Sequence, residues 1–146
     1  MQILKMLMLV GVLGLGYHFW SGHQNSSFKQ TQAMAHAEPS PNGFIPTAMP
    51  EAARQNTVLI LAPLNCPSAA AKRADALAEA LTRRGIPNTR GASFAAHIQN
   101  PTEEDKASLT RASTVLSGEI PAVFINGMGK SNPSADDVAA EFERTK

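Results

Sequence analysis

The single cysteine of the chain, Cys66, is the residue that most directly suggests chemistry. It follows the apolar run 57–62 (TVLILA) and stands immediately before Pro67 and an alanine-rich segment. A thiol at the start of a helix lies near unpaired N–H groups and the positive end of the helix dipole, and both favour the thiolate. A thiolate can attack a disulfide and form a mixed disulfide, which an external thiol then resolves.

Three uses of Cys66 remain open from the residues alone. The first is the redox or mixed-disulfide role. The second is an inert structural thiol, because free cysteine is among the most buried residue types. The third is an intermolecular bond or another use. A zinc site formed with His97 would have two ligands, which is too few, so we predict no metal.

Charge and aromatic content argue against one class of partner. Thirteen lysines and arginines nearly balance twelve acidic residues, which leaves a formal net charge of +1, and aromatic residues make up 5% of the chain. Nucleic-acid binding needs a basic surface, and single strands also need aromatic side chains for base stacking. We therefore predict no nucleic-acid partner.

The hydrophobic pattern predicts the elements that position Cys66. Short β-branched runs indicate strands, and apolar residues at helical spacing indicate three helices. The predicted order is strand, helix, weak strand, helix, strand, return strand and helix, at residues 57–62, 67–85, 88–94, 100–118, 122–126, 128–130 and 132–146. A four-stranded mixed sheet with helices on its faces is the economical packing for residues 56–146.

Turn and cap residues support these assignments. Asn126 and Gly127 form a strong signal for a hairpin, because a tight primed turn needs positive φ. Asn100 is a candidate helix cap, with Glu103 completing a capping box. Asp136 and Asp137 place negative charge at the N-terminus of the last helix, which is the positive end of its dipole.

The first twenty residues predict a contact with a membrane. Residues 3–20 are mostly apolar and end in aromatic residues of the kind found at membrane boundaries. An uncleaved inner-membrane anchor, a cleaved signal peptide and a buried helix are the alternatives. With an anchor, the N-terminus lies inside and the domain faces the periplasm or exterior; with a cleaved signal, the domain is secreted. Residues 21–55 are polar and proline-rich and predict a flexible linker.

Three short motifs make residues 57–146 similar to the thioredoxin-fold superfamily. Residues 66–69 (CPSA) resemble the cysteine motif at the first strand-to-helix junction, and residues 85–87 (GIP) resemble the end of the first helix. Residues 120–127 (IPAVFING) are the most specific match, because they couple a proline, a strand and a turn at fixed spacing. Within the superfamily the chain is more similar to glutaredoxins than to thioredoxins.

The resemblance implies a fold, a reaction and a site. The fold is thioredoxin-like, of glutaredoxin type, with a four-stranded mixed sheet flanked by three helices. Cys66 would be the nucleophile of thiol–disulfide exchange, with Pro121 as a cis-proline beside it. The partner would be a thiol- or disulfide-containing protein, or glutathione as co-substrate. The implied substrate-binding residues are Asn65, Pro67, Ile120, Pro121, Asp136 and Asp137.

Three departures from the family pattern refine this expectation. Ala69 stands where the second cysteine of the motif would be, so the domain cannot close its own active-site disulfide, and we expect monothiol chemistry. Pro63 replaces a lysine, and residues 133–134 (PS) replace a Gly-Gly pair, at positions that help to hold glutathione in the family. The alternative function is a non-catalytic binding or scaffold module at the membrane.

Overall fold

The structure, a computed structural model, describes residues 37–146. These residues form a mixed α/β fold, in which an open five-stranded sheet is flanked by three helices. In chain order the elements are β1 (Ile45–Pro46), β2 (Val58–Leu61), α1 (Ala69–Arg83), β3 (Asn88–Gly91), α2 (Glu103–Leu116), β4 (Ala122–Ile125), β5 (Met128–Ser131) and α3 (Ala135–Thr145). The predictions of a mixed sheet and of three flanking helices are confirmed.

The sheet has the strand order β1-β5-β4-β2-β3. Strands β2 and β3 are parallel, as expected for two strands joined by the crossover helix α1. Every other neighbouring pair is antiparallel. In the central pair Leu61 lies opposite Ala122, so β2 ends where β4 begins.

Alternation of side chains along the strands builds a core on each face of the sheet. On one face, Val58 and Ile60 of β2 pack with buried residues of α1 and α3, including Leu81 and Phe142. On the other face, Leu59 and Leu61 of β2 pack with Ala112 and Val115 of α2. The fold therefore has three layers, with α1 and α3 on one side and α2 on the other.

One predicted helix cap differs from the structure. Helix α2 is capped by Thr102, whose hydroxyl accepts the N–H of Asp105, and the Asp105 carboxylate accepts the Thr102 N–H in return. The predicted cap at Asn100 with Glu103 is wrong, since Asn100 lies two residues before the cap and has a φ of 50°. A Thr–Asp capping box replaces it because both side chains are at the required spacing.

The predicted hairpin between β4 and β5 is confirmed. Ile125 pairs with Met128, and the two residues between them, Asn126 and Gly127, have φ values of 43° and 83°. Positive φ at both central residues is the geometry of a type I′ turn. The Asn126 amide also donates to Asn56 Oδ1 over 3.0 Å, which joins the turn to the residues before β2.

The number of strands was predicted wrongly, because β1 lies in a segment that the sequence suggested was a flexible linker. Ile45 pairs with Gly129 of β5, and the neighbouring Phe44 is completely buried. The folded part of the chain therefore begins before residue 56. The predicted anchor or signal at residues 1–20 and the first part of the linker, residues 21–36, lie outside the described residues.

A buried carboxylate joins the residues before β1 to α3. Glu141 is fully buried, and its Oε2 accepts hydrogen bonds from Ser40 Oγ (2.8 Å) and Asn42 Nδ2 (2.9 Å). The Arg144 guanidinium also donates to this carboxylate and forms an ion pair with it. Burial alone would raise the pKa of Glu141, but the hydrogen bonds from Arg144, Asn42 and Ser40 hold this pKa below its ordinary value.

We expect Glu141→Gln to lower the free energy of unfolding at pH 7 by about 1–3 kcal/mol, because it removes charge-assisted hydrogen bonds. The folded-state pKa of Glu141 is depressed, so this contribution is present above the unfolded value of about 4.3 and is lost as pH falls through the folded pKa. Urea denaturation between neutral and acidic pH measures the difference. Glu143→Gln, at an exposed position of the same helix, is the matched control. An equal loss in both variants would contradict the expectation.

None of the helices described between residues 37 and 146 combines the length and the apolar character that a membrane crossing requires.

Candidate functional site

Three segments meet at one end of the sheet. Cys66 lies in the loop that follows β2, and Pro121 directly precedes β4, which is antiparallel to β2. Strand β5 ends at Ser131, opposite Ala122, so the start of α3 is at the same end. The topology thus gathers the thiol, the proline and the first turn of α3 at one edge of the domain.

Cys66 lies in a loop that projects into solvent. Its thiol is free and exposed, and the neighbouring Leu64 is the one large hydrophobic side chain exposed among residues 37–146, at 48%. Asn65 has a φ of 53°, a left-handed conformation that asparagine adopts more readily than most residues. The loop therefore presents the thiol between an apolar side chain and the beginning of α1, and Pro67 is exposed beside it.

Ser68 connects the thiol to the helix start. Its hydroxyl accepts the Ala71 N–H (3.2 Å) and caps α1. The Ser68 hydroxyl, and secondly its backbone N–H, hydrogen-bond the Cys66 sulfur and lower the pKa of the thiol, against a small opposing effect of burial. Both donors stabilise the thiolate, so a larger fraction of Cys66 is ionised at neutral pH than in an ordinary exposed cysteine.

We expect Ser68→Ala to move the pKa of Cys66 back towards its ordinary value, because the main donor to the sulfur is removed. The same change removes the cap of α1 and costs about 1 kcal/mol of stability. Thiolate absorbance in the ultraviolet, followed as pH is raised, measures the pKa. Ser68→Thr keeps a hydroxyl and is the control that should retain the low value. An unchanged titration in Ser68→Ala would show that the serine does not govern the thiol.

The peptide bond between Ile120 and Pro121 is cis, as the resemblance implies. Pro121 is buried, and its carbonyl accepts the N–H of Asn132 over 2.7 Å. The carbonyl of Ile120 accepts two hydrogen bonds from Arg73 of α1, from Nε (3.2 Å) and Nη2 (2.9 Å). Arg73 also forms an ion pair with Glu119 at 3.5 Å. The helix that follows the thiol thus holds the segment that contains the cis-proline.

An apolar pocket of about 220 Å³ opens where the ladder between β2 and β4 stops. Its walls come from the end of β2, the residues after β3, the end of α2 and the residues around the start of β4: Leu61, Ala62, Pro63, Ala92, Ser93, Phe94, Leu116, Ile120 and Ala122. Phe94 also stacks at a tilt on buried Phe124, with ring centroids 5.5 Å apart. The pocket can accept a small apolar group at the same end of the sheet as Cys66.

The two acidic residues predicted for substrate binding have partners within the chain. Asp137 Oδ2 accepts a hydrogen bond from Lys130 Nζ (2.8 Å) and forms a capping box with Ser134. The hydrogen bond from Lys130 is the largest cause of the lowered pKa of Asp137. Asp136 forms an ion pair with Arg84 at 2.6 Å. These contacts account for both side chains as structural groups, and their role in substrate binding stays a prediction.

The structure gives no metal centre among the residues that it describes. Within residues 37–146, no three histidine, cysteine or acidic side chains come together as ligands. His97 lies in the loop between β3 and α2 and is exposed.

Comparisons of this chain with protein families, with curated proteins and with solved structures find no match.

Sequence reasoning missed two residues of this region. Ser68 was visible as a residue of the CPSA motif, and its spacing before the alanine run fits a helix cap. Arg73 carried no signal, because an arginine on a helix face usually points into solvent. Only the crossing of α1 over the start of β4 shows that its guanidinium reaches the backbone of Ile120.

Proposed function

We propose that the chain is a thioredoxin-like protein of glutaredoxin type that carries out monothiol thiol–disulfide exchange at Cys66. The observation that carries this proposal is the free, exposed Cys66 thiol two residues before Ser68, the N-cap of α1. The pKa of this thiol is lowered by the Ser68 hydroxyl and N–H. Such a thiol combines access with thiolate character, which are the two requirements of a redox-active cysteine. The mixed sheet with three flanking helices is compatible with the proposed fold.

In the proposed step the Cys66 thiolate attacks one sulfur of a partner disulfide. A new bond forms between Cys66 and that sulfur, the partner's S–S bond breaks, and the other sulfur leaves as a thiolate. Ala69 supplies no second thiol, so an external thiol must attack the mixed disulfide and release Cys66. The two steps together exchange one disulfide for another with no net oxidation.

Glutathione is one thiol that fits the resolving role, since a small thiol can reach an exposed sulfur. Two features at the site favour a protein partner as well. Leu64 next to the thiol is exposed, and the apolar pocket beside Ile120 offers a second non-polar contact. We propose a thiol- or disulfide-containing protein as the substrate, with glutathione as co-substrate.

Incubation of the reduced full chain with glutathione disulfide tests the proposal. We expect one glutathione adduct, located on Cys66 by mass spectrometry of its peptide and reversed by added thiol. Cys66→Ser should acquire no adduct. An unmodified wild-type chain after long incubation, under conditions that modify the unfolded chain, would refute the exchange function.

The second candidate is a non-catalytic binding module, and the apolar pocket is the observation that favours it. A module of this kind would bind its partner through the pocket and the exposed loop without using the thiol. Cys66→Ser would then leave partner binding intact, whereas exchange requires the sulfur.

We also propose that residues 3–20 anchor the domain to a membrane, facing the periplasm or exterior.

A further inference from the structure

Arg73 donates hydrogen bonds to the backbone carbonyl of Ile120, which has no partner in a neighbouring strand. In the register that pairs Ile60 with Val123 and Leu61 with Ala122, Pro63 would face Ile120 two residues further on. Proline has no N–H to donate, so the ladder stops at this point. The Ile120 carbonyl is instead bound by Arg73 Nε and Nη2 at 3.2 and 2.9 Å.

Two donors fill the capacity of this carbonyl. A backbone oxygen has two lone pairs, and both N–H groups of Arg73 are directed at the same atom. Unpaired backbone groups at a strand end are otherwise ready to pair with an extended segment of another chain. Such a segment meets the Ile120 carbonyl only after Arg73 has left it.

We propose that Arg73 acts as a latch on the Ile120 carbonyl. An extended partner segment can pair with this carbonyl only by displacing Arg73, and a segment that carries a carboxylate displaces it most readily. This inference rests on the proposed function, because it concerns the protein substrate of the same site. A neutral segment that displaces Arg73 leaves the guanidinium without its two acceptor contacts, whereas an acidic segment supplies new ones. A planar guanidinium and a carboxylate form paired hydrogen bonds, so the exchange of partners is favourable for an acidic segment.

Glu119 holds the latch only weakly. Its carboxylate lies 3.5 Å from Arg73 Nη2, and the two side chains are 42% (Arg73) and 66% (Glu119) exposed. Ion pairs between exposed side chains contribute little and are easily replaced. The carboxylate of a partner therefore competes directly with Glu119 for the same guanidinium.

Two cysteine peptides that differ only in Glu or Gln beside the cysteine test the latch. Each peptide is supplied as a mixed disulfide with the same nitrothiobenzoate leaving group, whose release reports the rate of attack by Cys66. Attack forms the Cys66–peptide disulfide and releases the nitrothiobenzoate thiolate. Hydroxyethyl disulfide, which has no peptide backbone, reports the intrinsic reactivity of the thiol.

We expect the wild-type chain to react about two- to fivefold faster with the Glu peptide than with the Gln peptide. Arg73→Ala should abolish this preference and speed the reaction with the Gln peptide, because the Ile120 carbonyl becomes free. Glu119→Gln should increase the preference, because the internal competitor is removed. Lys72→Ala removes the same charge from the adjacent exposed position and should keep the wild-type preference.

The latch would be overturned if Arg73→Ala kept the wild-type preference for the Glu peptide over the Gln peptide. It would also be overturned if Arg73→Ala slowed the reactions with both peptides and with hydroxyethyl disulfide equally. A second readout separates this failure from that of the proposed exchange. The Cys66→Ser chain is titrated with the serine analogues of both peptides, which bind without reaction. Arg73-dependent preference for the Glu peptide in this titration supports the latch even if the thiol is unreactive. No preference in this titration overturns the latch even if exchange occurs.

Discussion

Replacement of Cys66 by serine is expected to abolish thiol–disulfide exchange, because the hydroxyl that remains cannot form a mixed disulfide. The rate of exchange should fall to that of the reaction without protein, while the free energy of unfolding stays within about 0.5 kcal/mol of the wild-type value. Serine is almost the same size as cysteine and position 66 is exposed, so the substitution should change the packing little. The measurement is the protein-dependent rate of reduction of hydroxyethyl disulfide by glutathione.

A relocated thiol provides the matched control. In the double variant Cys66→Ser, Ser117→Cys, the single cysteine is exposed at the C-terminal end of α2. The negative end of the helix dipole there disfavours a thiolate. We expect this thiol to react much more slowly than Cys66 at neutral pH. Equal rates would mean that any exposed cysteine suffices and that the position of Cys66 contributes nothing.

Replacement of Phe44 by alanine is expected to have the largest effect on stability, a loss of about 3–5 kcal/mol. Phe44 is completely buried in the core shared by α1 and α3, so its truncation removes apolar contacts and leaves a cavity. A loss of this size is a large part of the total stability of a domain. Urea denaturation of the full chain measures it.

Leu64→Ala is the control for the loss of a large apolar side chain. Leu64 is 48% exposed, so its truncation should change the free energy of unfolding by less than about 0.5 kcal/mol. A loss in Phe44→Ala no greater than that in Leu64→Ala would contradict a role of the residues before β1 in the core.

The order of strands and helices from β2 to α3 was predictable because each element carries its own local signal. The β-branched run before Pro63 predicts β2, and the alanine-rich stripe predicts α1. The Asn126–Gly127 pair defines the hairpin, because few other residue pairs accept two positive φ angles. These signals depend on neighbouring residues alone, so they can be recognised without knowing how the rest of the chain folds.

Strand β1 was not predictable because its stability comes from distant residues. Ile45 and Pro46 are too short a run to show alternation, and the residues around them resemble a linker in composition. Their contacts include β5, the core beneath α2, and Arg111, whose Nε donates to the Pro46 carbonyl over 2.6 Å. Contacts between residues so far apart in the chain leave no local pattern.

The candidate site was partly predictable for the same reason. Cys66 and Pro121 stood out by residue type and motif, and the strand order brings their segments to one end of the sheet. The hydrogen bonds of Ser68 and Arg73 depend on side-chain geometry at a helix start and at a crossing between elements. The spacing of residues along the sequence does not predict the hydrogen bonds of Ser68 or those of Arg73.

The rate of alkylation of Cys66 by iodoacetamide, measured against pH in the full native chain, tests the central claim most directly. The same chain unfolded in urea gives the reference titration of an unperturbed thiol. The hydrogen bonds from Ser68 predict that the native rate rises at a lower pH than the unfolded rate, because the pKa of the folded thiol is lowered. A native inflection at the same or a higher pH, or a native thiol that does not react, would contradict a reactive cysteine at this site.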